Sequence, residues 1–329
     1  MARQNKLMNK AKKGKKDEFY TQLCDIEKEL KNYKDHFKNK TVLCNCDDPR
    51  ISNFFHYFSY NFEHLGLKKL ITTCYKNQDM DLFSQNNADR AIWLEYNGDK
   101  NGNKVPDPEE IGIHYLEGDG DFRSKECVEL LKQSDIVVTN PPFSLFREYV
   151  KQLIDYGKKF LIIGNINCIK YKEIFPLLKE NKVWLGTGMG RWISGFIVPD
   201  DYELYGTEAK ENEKGERIVA TNNCLWLTNL DHKKRHEELI LFKSYNEDEY
   251  PKLDNYDAIF VKRTELIPYD YDGIMAVPIT FMDKFNPDQF EIVGEFNHGC
   301  DNEYDLAKPI LNGKELYPHF AIRNKKVVK

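Results

Sequence analysis

The sequence predicts an α/β fold built on a doubly wound, mostly parallel β-sheet. Up to residue 190, short apolar runs that are typical of buried strands alternate with amphipathic helical segments. The first strand–helix–strand unit spans residues 41–75, and that order implies parallel strands. Beyond Gly195, strands follow one another without intervening helices. We therefore expect residues 195–199 and 224–228 to pair as an antiparallel hairpin at the sheet edge.

The helical segments carry the periodicity and punctuation of amphipathic helices. In the first, apolar side chains recur at spacings of 3, 4, 3 and 4, at Leu23, Ile26, Leu30, Tyr33 and Phe37. The second follows Ser52 and ends at Gly66, and we interpret its aromatic run Phe54–Phe58 as core packing rather than a platform for stacking bases. Further helices are predicted over residues 124–132, from a Ser144 cap to Gly157, and over residues 172–181, alternating with strands 135–139, 159–163 and 183–185.

Residues 76–112 interrupt this alternation. They are polar and contain the turn-forming pairs Asn97–Gly98 and Asn101–Gly102, which are typical of hairpin connections. We therefore predict an insertion that contains a β-hairpin.

The composition excludes several classes of protein. Of the 329 residues, 41% are hydrophobic, which suits a globular core. No apolar run approaches the roughly 20 residues that cross a bilayer, and the N-terminus lacks the apolar segment of a signal peptide, so we expect a cytoplasmic protein with no membrane partner. The eight cysteines are scattered, and the only close pair, Cys44 and Cys46, lacks the further ligands of a zinc site. We expect reduced thiols and no metal.

Charge is distributed unevenly along the chain. The formal net charge is -5, yet residues 1–16 contain seven basic and no acidic side chains, so the rest of the chain is strongly acidic. A basic arm on an acidic body can follow a phosphate backbone, and the candidate phosphate contacts are Lys12, Lys13, Lys15 and Lys16. The alternative is a solvated, disordered tail without a partner.

The candidate site follows the strand over residues 135–139, which ends in Asn140-Pro141-Pro142-Phe143. In open α/β sheets, ligands bind at the carboxyl ends of the strands. Prolines fix the backbone and remove N–H donors, so this turn presents rigid carbonyl acceptors. Asn140 adds a side-chain carbonyl and Phe143 a flat apolar face. These groups suit a planar ring with an exocyclic amine.

The amine of adenine fits this turn and explains its chemistry. That amine is a poor nucleophile, because its lone pair is delocalised into the ring. Hydrogen bonds from both amine hydrogens to the Asn140 side chain and the Pro141 carbonyl would localise the lone pair as attack proceeds. The electrophile must already be activated, as a sulfonium methyl group is. Phe143 would stack on the base, which has to leave a duplex to reach the pocket.

The Asn140–Phe143 motif resembles the catalytic motif of S-adenosylmethionine-dependent N6-adenine DNA methyltransferases. Together with further segments, the chain resembles the EcoRI-type adenine methyltransferases of type II restriction-modification systems over most of its length. These segments are residues 18–22, 44–50, 118–122, 135–146, 194–199 and 224–230. The resemblance implies a Rossmann-like methyltransferase fold, double-stranded DNA as substrate and action as a monomer. It also implies a cognate restriction endonuclease that is linked in function but not physically, and GAATTC as the target site.

The resemblance also assigns roles to individual residues. It places the methionine end of S-adenosylmethionine near Tyr20, Thr21 and the turn formed by Asp47, Asp48, Pro49 and Arg50, with Asn140 beside the cofactor. It places Asp121 against the cofactor's adenine amine and Phe122 against that ring. Carboxylates can hold the cofactor's ammonium group, although Asp47 and Asp48 could instead cap the following helix. The turn lacks the usual glycines, and Tyr75 occupies the position where an acid often binds the ribose.

This family assignment predicts three regions in the chain. Residues 1–16 form the basic arm, and residues 17–230 form the catalytic domain with its insertion. Residues 231–329 are the expected target-recognition region.

Three other motifs have competing interpretations. Gly186–Gly190 is glycine-rich but lies too late in the chain for a dinucleotide loop, so we predict a mobile loop that lines the target-base pocket or touches phosphate together with Arg191 and Phe196. The basic cluster over residues 233–236 suits either phosphate contact or a solvated helix face. Gly118–Phe122 lacks the later ligands of a calcium loop.

Two alternative functions remain open at the level of sequence. An Asn-Pro-Pro-aromatic turn also serves methyltransferases that act on guanine in RNA or on a protein glutamine. A catalytically silent DNA-binding relative is the second alternative, motivated by the missing glycine loop.

Overall fold

The computed structural model describes residues 20–46, 52–73, 91–189, 193–198, 209–211, 215–219, 223–297 and 305–327. The chain divides into two compact units, the first up to Ile166 together with Gly188–Leu230, the second from Asn167–Thr187 together with Asp231–Lys329. Both contain β-sheet, and the architecture is mixed α/β with several sheets, as the sequence predicts. Among the described residues, no helix is both long enough and apolar enough to span a membrane.

The strands up to residue 230 are short. In chain order they are β1 (Tyr20–Thr21), β2 (Thr41–Asn45), β3 (Lys69–Thr73), β4 (Ile92–Tyr96), β5 (Ile111–Tyr115), β6 (Ile136–Thr139), β7 (Lys159–Asn165), β8 (Trp184–Met189), β9 (Phe196–Ile197), β10 (Ala209–Glu211), β11 (Arg217–Val219) and β12 (Cys224–Thr228). The helices are α1 (Leu23–Leu30), α2 (Asn53–Tyr60), α3 (Phe62–Leu65), α4 (Lys125–Gln133), α5 (Phe146–Asp155) and α6 (Phe175–Lys179).

The main sheet of the first unit is mixed, with parallel strands at its centre. Its strands lie in the order β5-β4-β3-β2-β6-β7-β12. The pairs β2–β3, β2–β6 and β6–β7 are parallel, whereas β4 is antiparallel to both β3 and β5. Strands β5, β3, β2, β6 and β7 therefore run in one direction, and their carboxyl ends lie at one edge of the sheet.

The predicted pairing of residues 195–199 with 224–228 is wrong. β9 instead pairs with β1 and β11 in a separate small sheet, while β12 lies antiparallel to β7 in the main sheet. All five residues of β12 are buried, and a strand that is covered on both faces is typical of a large sheet rather than of a two-stranded hairpin. The hairpin predicted around Asn97–Gly98 and Asn101–Gly102 is confirmed, since β4 and β5 pair antiparallel on either side of these turns. Its second strand extends beyond residue 112 to Tyr115, and both strands belong to the main sheet.

Two helix boundaries differ from their predictions. Ser144 does not cap α5, because residues Phe143–Leu145 form a 3-10 turn and the helix begins at Phe146. The predicted end before Gly157 is confirmed, with Gly157 at a φ of 62°. The helix predicted over residues 172–181 is shortened to α6, and a 3-10 segment over Ile166–Lys170 precedes it.

The core of the first unit is rich in aromatic side chains. Phe54, Phe55, Tyr57 and Phe58 are buried, so the interpretation of this run as core packing is confirmed. Phe54 meets Trp226 of β12 edge to face, with ring centroids 6.2 Å apart. Cys44 is buried among these residues, and none of the described cysteines forms a disulfide.

The second unit has its own five-stranded sheet. After residue 231 the described strands of the unit are β13 (Ala258–Phe260), β14 (Ile274–Pro278), β15 (Phe290–Asn297), β16 (Asp305–Ala307), β17 (Ile310–Leu311), β18 (Lys314–Glu315) and β19 (His319–Asn324). The sheet order is β13-β14-β19-β15-β16, and β17 and β18 form a small hairpin. Phe175 of α6 stacks on Phe320 of β19, with centroids 5.7 Å apart, so residues 167–187 contribute to this unit's core.

The connection between β4 and β5 is cross-linked by its own carboxylates. Glu110 is 6% exposed, and its carboxylate accepts hydrogen bonds from the backbone N–H groups of Lys100 at 2.6 Å and Asn101 at 3.2 Å. Asp99 accepts from the N–H groups of Gly102 and Lys104. These bonds satisfy backbone donors that a loop without strand pairing would otherwise leave open.

Replacing Glu110 by alanine should destabilise this loop. The change removes a buried carboxylate that accepts from the backbone N–H groups of Lys100 and Asn101, so we expect the free energy of unfolding to fall by about 1–3 kcal/mol. Glu109→Ala is the matched control, because Glu109 is exposed and its loss should change stability by less than about 0.5 kcal/mol. Urea denaturation followed by circular dichroism measures both. Equal stabilities of the two variants would contradict a structural role for Glu110.

Candidate functional site

The carboxyl ends of β2 and β6 are tied together at Asn45. The Thr139 hydroxyl donates a hydrogen bond to the Asn45 backbone carbonyl, and the Tyr149 hydroxyl donates to the Asn45 side-chain oxygen. All three residues are buried. Burial raises the pKa of Tyr149 well above its ordinary value, so the phenol stays neutral and remains a donor. This junction fixes the position where the chain leaves β6 and enters the Asn-Pro-Pro-Phe turn.

The turn itself is compact and presents acceptors beside an aromatic ring. Asn140 is 8% exposed and Pro141 is buried, whereas Pro142 and Phe143 are half-buried. The Leu145 N–H donates to the Pro142 carbonyl at 3.0 Å, which closes the 3-10 turn before α5. The Phe143 ring lies edge to face with Phe196, with centroids 6.3 Å apart and planes at 73°.

The small sheet brings two groups of predicted site residues together. Thr21 pairs with Phe196 and Tyr20 with Ile197, so the segment expected near the cofactor lies beside the residue expected near the target base. The Asn53 side chain donates to the Thr21 carbonyl at 2.8 Å and attaches β1 to the start of α2. Tyr20, Thr21, Phe143 and Phe196 therefore lie in one region of the first unit.

A buried carboxylate holds the segment before Phe196. Asp25 of α1 is 3% exposed and accepts from the Ser194 N–H at 2.9 Å and from the Ser194 hydroxyl at 2.8 Å. Gln22 donates to the Ser194 hydroxyl oxygen at 2.7 Å and to the Gly195 carbonyl at 3.2 Å. Burial raises the pKa of Asp25, against the opposing effect of the Ser194 hydrogen bonds. No local sequence signal identifies this contact, because the partners are 169 positions apart.

Asp121 lies in the loop after β5, at the same edge of the sheet. Arg123 donates two parallel hydrogen bonds to the Asp121 carboxylate, from Nε to Oδ1 at 2.9 Å and from Nη2 to Oδ2 at 2.6 Å. The Arg123 hydrogen bonds lower the pKa of Asp121, so the carboxylate is ionised at neutral pH. The Asp121 side chain remains 22% exposed.

Phe122 connects this loop to the Asn45 junction. Its side chain is buried and meets Tyr149 edge to face, with ring centroids 5.0 Å apart. The Gln152 side chain donates to the Phe122 carbonyl at 3.1 Å. Tyr149 therefore contacts both Phe122 and Asn45, so one side chain of α5 touches the Asp121 loop and the end of β2. The stacking of Phe122 on a cofactor ring stays a prediction.

Several predicted site residues lie outside the described residues. These are Asp47, Asp48, Pro49 and Arg50, the candidate base or phosphate contact Arg191, and the arm residues Lys12, Lys13, Lys15 and Lys16. The prediction of a mobile loop at Gly186–Gly190 is wrong for residues 186–189, because they form the end of β8. Within the part of the chain that is described, no group of His, Cys, Asp and Glu side chains could hold a metal ion.

The basic cluster over residues 233–236 is mostly engaged in contacts within the second unit. Lys234 pairs with Asp283 at 2.7 Å and donates to the Thr187 carbonyl at 2.9 Å. Arg235 lies over the Trp184 ring at 3.6 Å and pairs with Asp231, which also contacts His236. Of the two alternatives for this cluster, the solvated helix face is therefore wrong for Lys234 and Arg235, whose charges are paired with Asp283 and Asp231. Phosphate contact stays a prediction.

Comparison with known proteins shows similarity along nearly the whole chain. Residues 7–325 match the family described as adenine-specific methyltransferase EcoRI. The chain is 58% identical to the type II methyltransferase M.EcoRI of Escherichia coli over 327 residues, 99% of this chain and 98% of the relative.

Two mycoplasma proteins are also similar. The type II methyltransferase M.MgeORF184P of Mycoplasma genitalium is 42% identical over 87% of this chain and 84% of its own length. M.MpnI of Mycoplasma pneumoniae is 40% identical over the same shares of the two chains. No solved structure matches the chain significantly.

The buried Asp25 carboxylate, with its hydrogen bonds from Ser194, should make the stability of the fold depend on pH. Because the folded-state pKa of Asp25 is raised, folding is opposed by its ionisation as the pH rises above 3.8, the value of an unperturbed side chain. Asp25→Asn keeps an acceptor for Ser194 without the charge. We expect the free energy of unfolding of the wild type to fall relative to that of this variant as the pH rises through the folded-state pKa.

Urea titrations between pH 3.5 and pH 7 measure this difference. Asp257→Asn is the control, since the Asp257 side chain is 93% exposed. A wild-type stability that rises relative to Asp25→Asn over the same range would contradict the assignment.

Proposed function

This chain belongs to the EcoRI family of adenine-specific methyltransferases, and we propose the following mechanism for its methylation of adenine in DNA. It transfers a methyl group from S-adenosylmethionine to the exocyclic N6 amine of an adenine that has left the DNA duplex. The proposal rests above all on the Asn140–Phe143 turn, which follows the carboxyl end of β6 among the parallel strands of a mixed sheet. The turn lies beside Phe196, which pairs with the Tyr20–Thr21 strand. A doubly wound, Rossmann-like catalytic domain is part of this proposal.

In this mechanism the turn activates the target amine without a strong base. The Asn140 side-chain carbonyl and the Pro141 backbone carbonyl accept the two amine hydrogens. The nitrogen then becomes pyramidal and its lone pair is directed at the methyl group. Both prolines hold the acceptors in place, and the burial of Asn140 and Pro141 excludes competing water. The half-buried Phe143 ring stacks on the extruded base, with Phe196 packed against its edge.

The residues at the Asp121 loop fit the nucleoside end of S-adenosylmethionine. Asp121 is ionised and partly exposed, so it can accept a hydrogen bond from the adenine amine. Phe122 supplies an apolar side chain next to it. S-adenosylmethionine supplies a sulfonium-bound methyl group as the activated electrophile. The methionine end would lie near Tyr20, Thr21 and residues 47–50, whose Asp47 and Asp48 carry the charge that an ammonium group needs.

DNA recognition is assigned to two segments and to Arg191. Residues 231–329 are proposed to read the target, and the basic arm, with Lys12, Lys13, Lys15 and Lys16, to follow the phosphate backbone. Arg191 would touch phosphate or the target-base pocket. By the family resemblance the enzyme would act as a monomer on GAATTC and protect that site from a cognate restriction endonuclease. The adenine specificity of the family disfavours RNA guanine or protein glutamine as the substrate.

The proposal is tested by following labelled methyl groups. Transfer from S-adenosylmethionine to duplexes with and without GAATTC, followed by digestion to nucleosides and mass analysis, identifies product and site together. We expect N6-methyladenine on the GAATTC duplex alone. The same nucleoside on other sequences only would discard the site. A different methylated nucleoside, or none with cofactor bound, would contradict the proposed chemistry.

Asn140→Ala should remove the chemical step. Losing one preorganised hydrogen bond to the reacting group lowers kcat by about 10²–10³-fold. Binding of S-adenosylmethionine and of duplex DNA should change far less. Single-turnover transfer measures the step, and calorimetry measures the binding. Asn97→Ala, at an exposed asparagine of the β4–β5 connection, is the control and should leave kcat unchanged. An Asn140→Ala enzyme with wild-type kcat would contradict the mechanism.

A further inference from the structure

We infer that Arg123 is a positioning residue that makes Asp121 selective for a 6-amino purine in the cofactor. This inference rests on the proposed use of S-adenosylmethionine and concerns the nucleoside end of that site. The sequence motif Gly118–Phe122 ends immediately before Arg123.

The Asp121 carboxylate accepts three hydrogen bonds from Arg123. Oδ1 accepts two hydrogen bonds, from the Arg123 backbone N–H at 2.8 Å and from Nε at 2.9 Å. Oδ2 accepts one, from Nη2 at 2.6 Å. A carboxylate oxygen offers about two acceptor positions. Oδ1 is therefore saturated, while Oδ2 keeps one acceptor position that no described residue uses.

The guanidinium group of Arg123 is held in place by a second carboxylate, that of Glu148. Its third nitrogen, Nη1, donates to Glu148 of α5 at 2.9 Å. The guanidinium carbon also lies 5.3 Å from the centre of the Phe122 ring. A planar fork held by two carboxylates has little rotational freedom. The orientation of Asp121, and with it the direction of the remaining Oδ2 acceptor, is therefore set by Arg123.

The charge of Asp121 decides which ligand groups it can bind. The carboxylate is ionised, with its pKa lowered by the hydrogen bonds from Arg123, so it can only accept hydrogen bonds. An adenine amine donates and fits the remaining Oδ2 position. The carbonyl of a 6-oxo purine would meet Oδ2 acceptor to acceptor, which is repulsive. Arg123 thus contributes to base selectivity through Asp121, without needing to touch the nucleoside.

Arg123→Lys separates positioning from charge. Lysine keeps the positive charge but lacks the planar fork, so it cannot bind both carboxylate oxygens and Glu148 at once. Calorimetry would compare the dissociation constants of S-adenosylhomocysteine and S-inosylhomocysteine, in which an oxygen replaces the amine. We expect the wild type to bind S-adenosylhomocysteine more tightly than S-inosylhomocysteine. In the variant, the ratio of the two dissociation constants should be about tenfold smaller. Lys151→Ala, at an exposed lysine of α5, is the control and should keep the full preference.

The ratio of the two dissociation constants distinguishes this role from a structural one. A merely structural arginine would weaken both ligands equally, and an unchanged ratio in Arg123→Lys would overturn the inference while leaving the proposed function intact. A wild type that binds both ligands equally would overturn it as well. A wild type that binds neither ligand would contradict the proposed cofactor itself, and the inference would fall with it. The ratio remains interpretable if the variant is partly unfolded, because unfolding raises both apparent dissociation constants by the same factor, which cancels in the ratio.

Discussion

Asn45 accepts hydrogen bonds from Thr139 and Tyr149 at the carboxyl end of β2, and the geometry of the candidate site depends on this junction. The three residues come from two neighbouring parallel strands and the helix that follows the second of them. All three are buried, so breaking one bond would leave a polar group unsatisfied in a medium where water cannot replace the partner. The junction therefore fixes both the point at which the chain leaves β6 and the position of α5 relative to the end of β2.

Two parts of the site follow from that junction. Thr139 leads directly into the Asn140 turn, while Tyr149 packs on Phe122 next to Asp121. In the proposed reaction each part receives an adenine, one in the DNA and one in the cofactor. Each part offers the same pair of groups, an oxygen acceptor and an aromatic ring: Asn140 with Phe143, and Asp121 with Phe122. The shared chemistry of the two ligands thus explains why the two motifs are alike in composition.

Much of this arrangement can be predicted from the sequence, because its signals are local. The Asn-Pro-Pro-Phe turn and the Gly-Asp-Gly-Asp-Phe loop each follow a strand, and the alternation of helices and strands indicates mixed α/β structure. Contacts between distant segments leave no such signal. Three such contacts depend on tertiary packing. They are the hydrogen bonds between Asp25 and Ser194, the pairing of β12 with β7 and the pairing of β9 with β1. The Lys233–His236 run was ambiguous because its partners, such as Asp283 and Trp184, lie far along the chain.

The most direct test of the central claim is a crystal structure of the enzyme with GAATTC duplex DNA and S-adenosylhomocysteine. The account predicts an adenine outside the helix, with its amine within hydrogen-bond distance of the Asn140 side chain and the Pro141 carbonyl and its ring against Phe143. It also predicts the cofactor's amine at Asp121. An adenine that remains stacked in the duplex, or an extruded base whose amine faces other residues, would contradict the account.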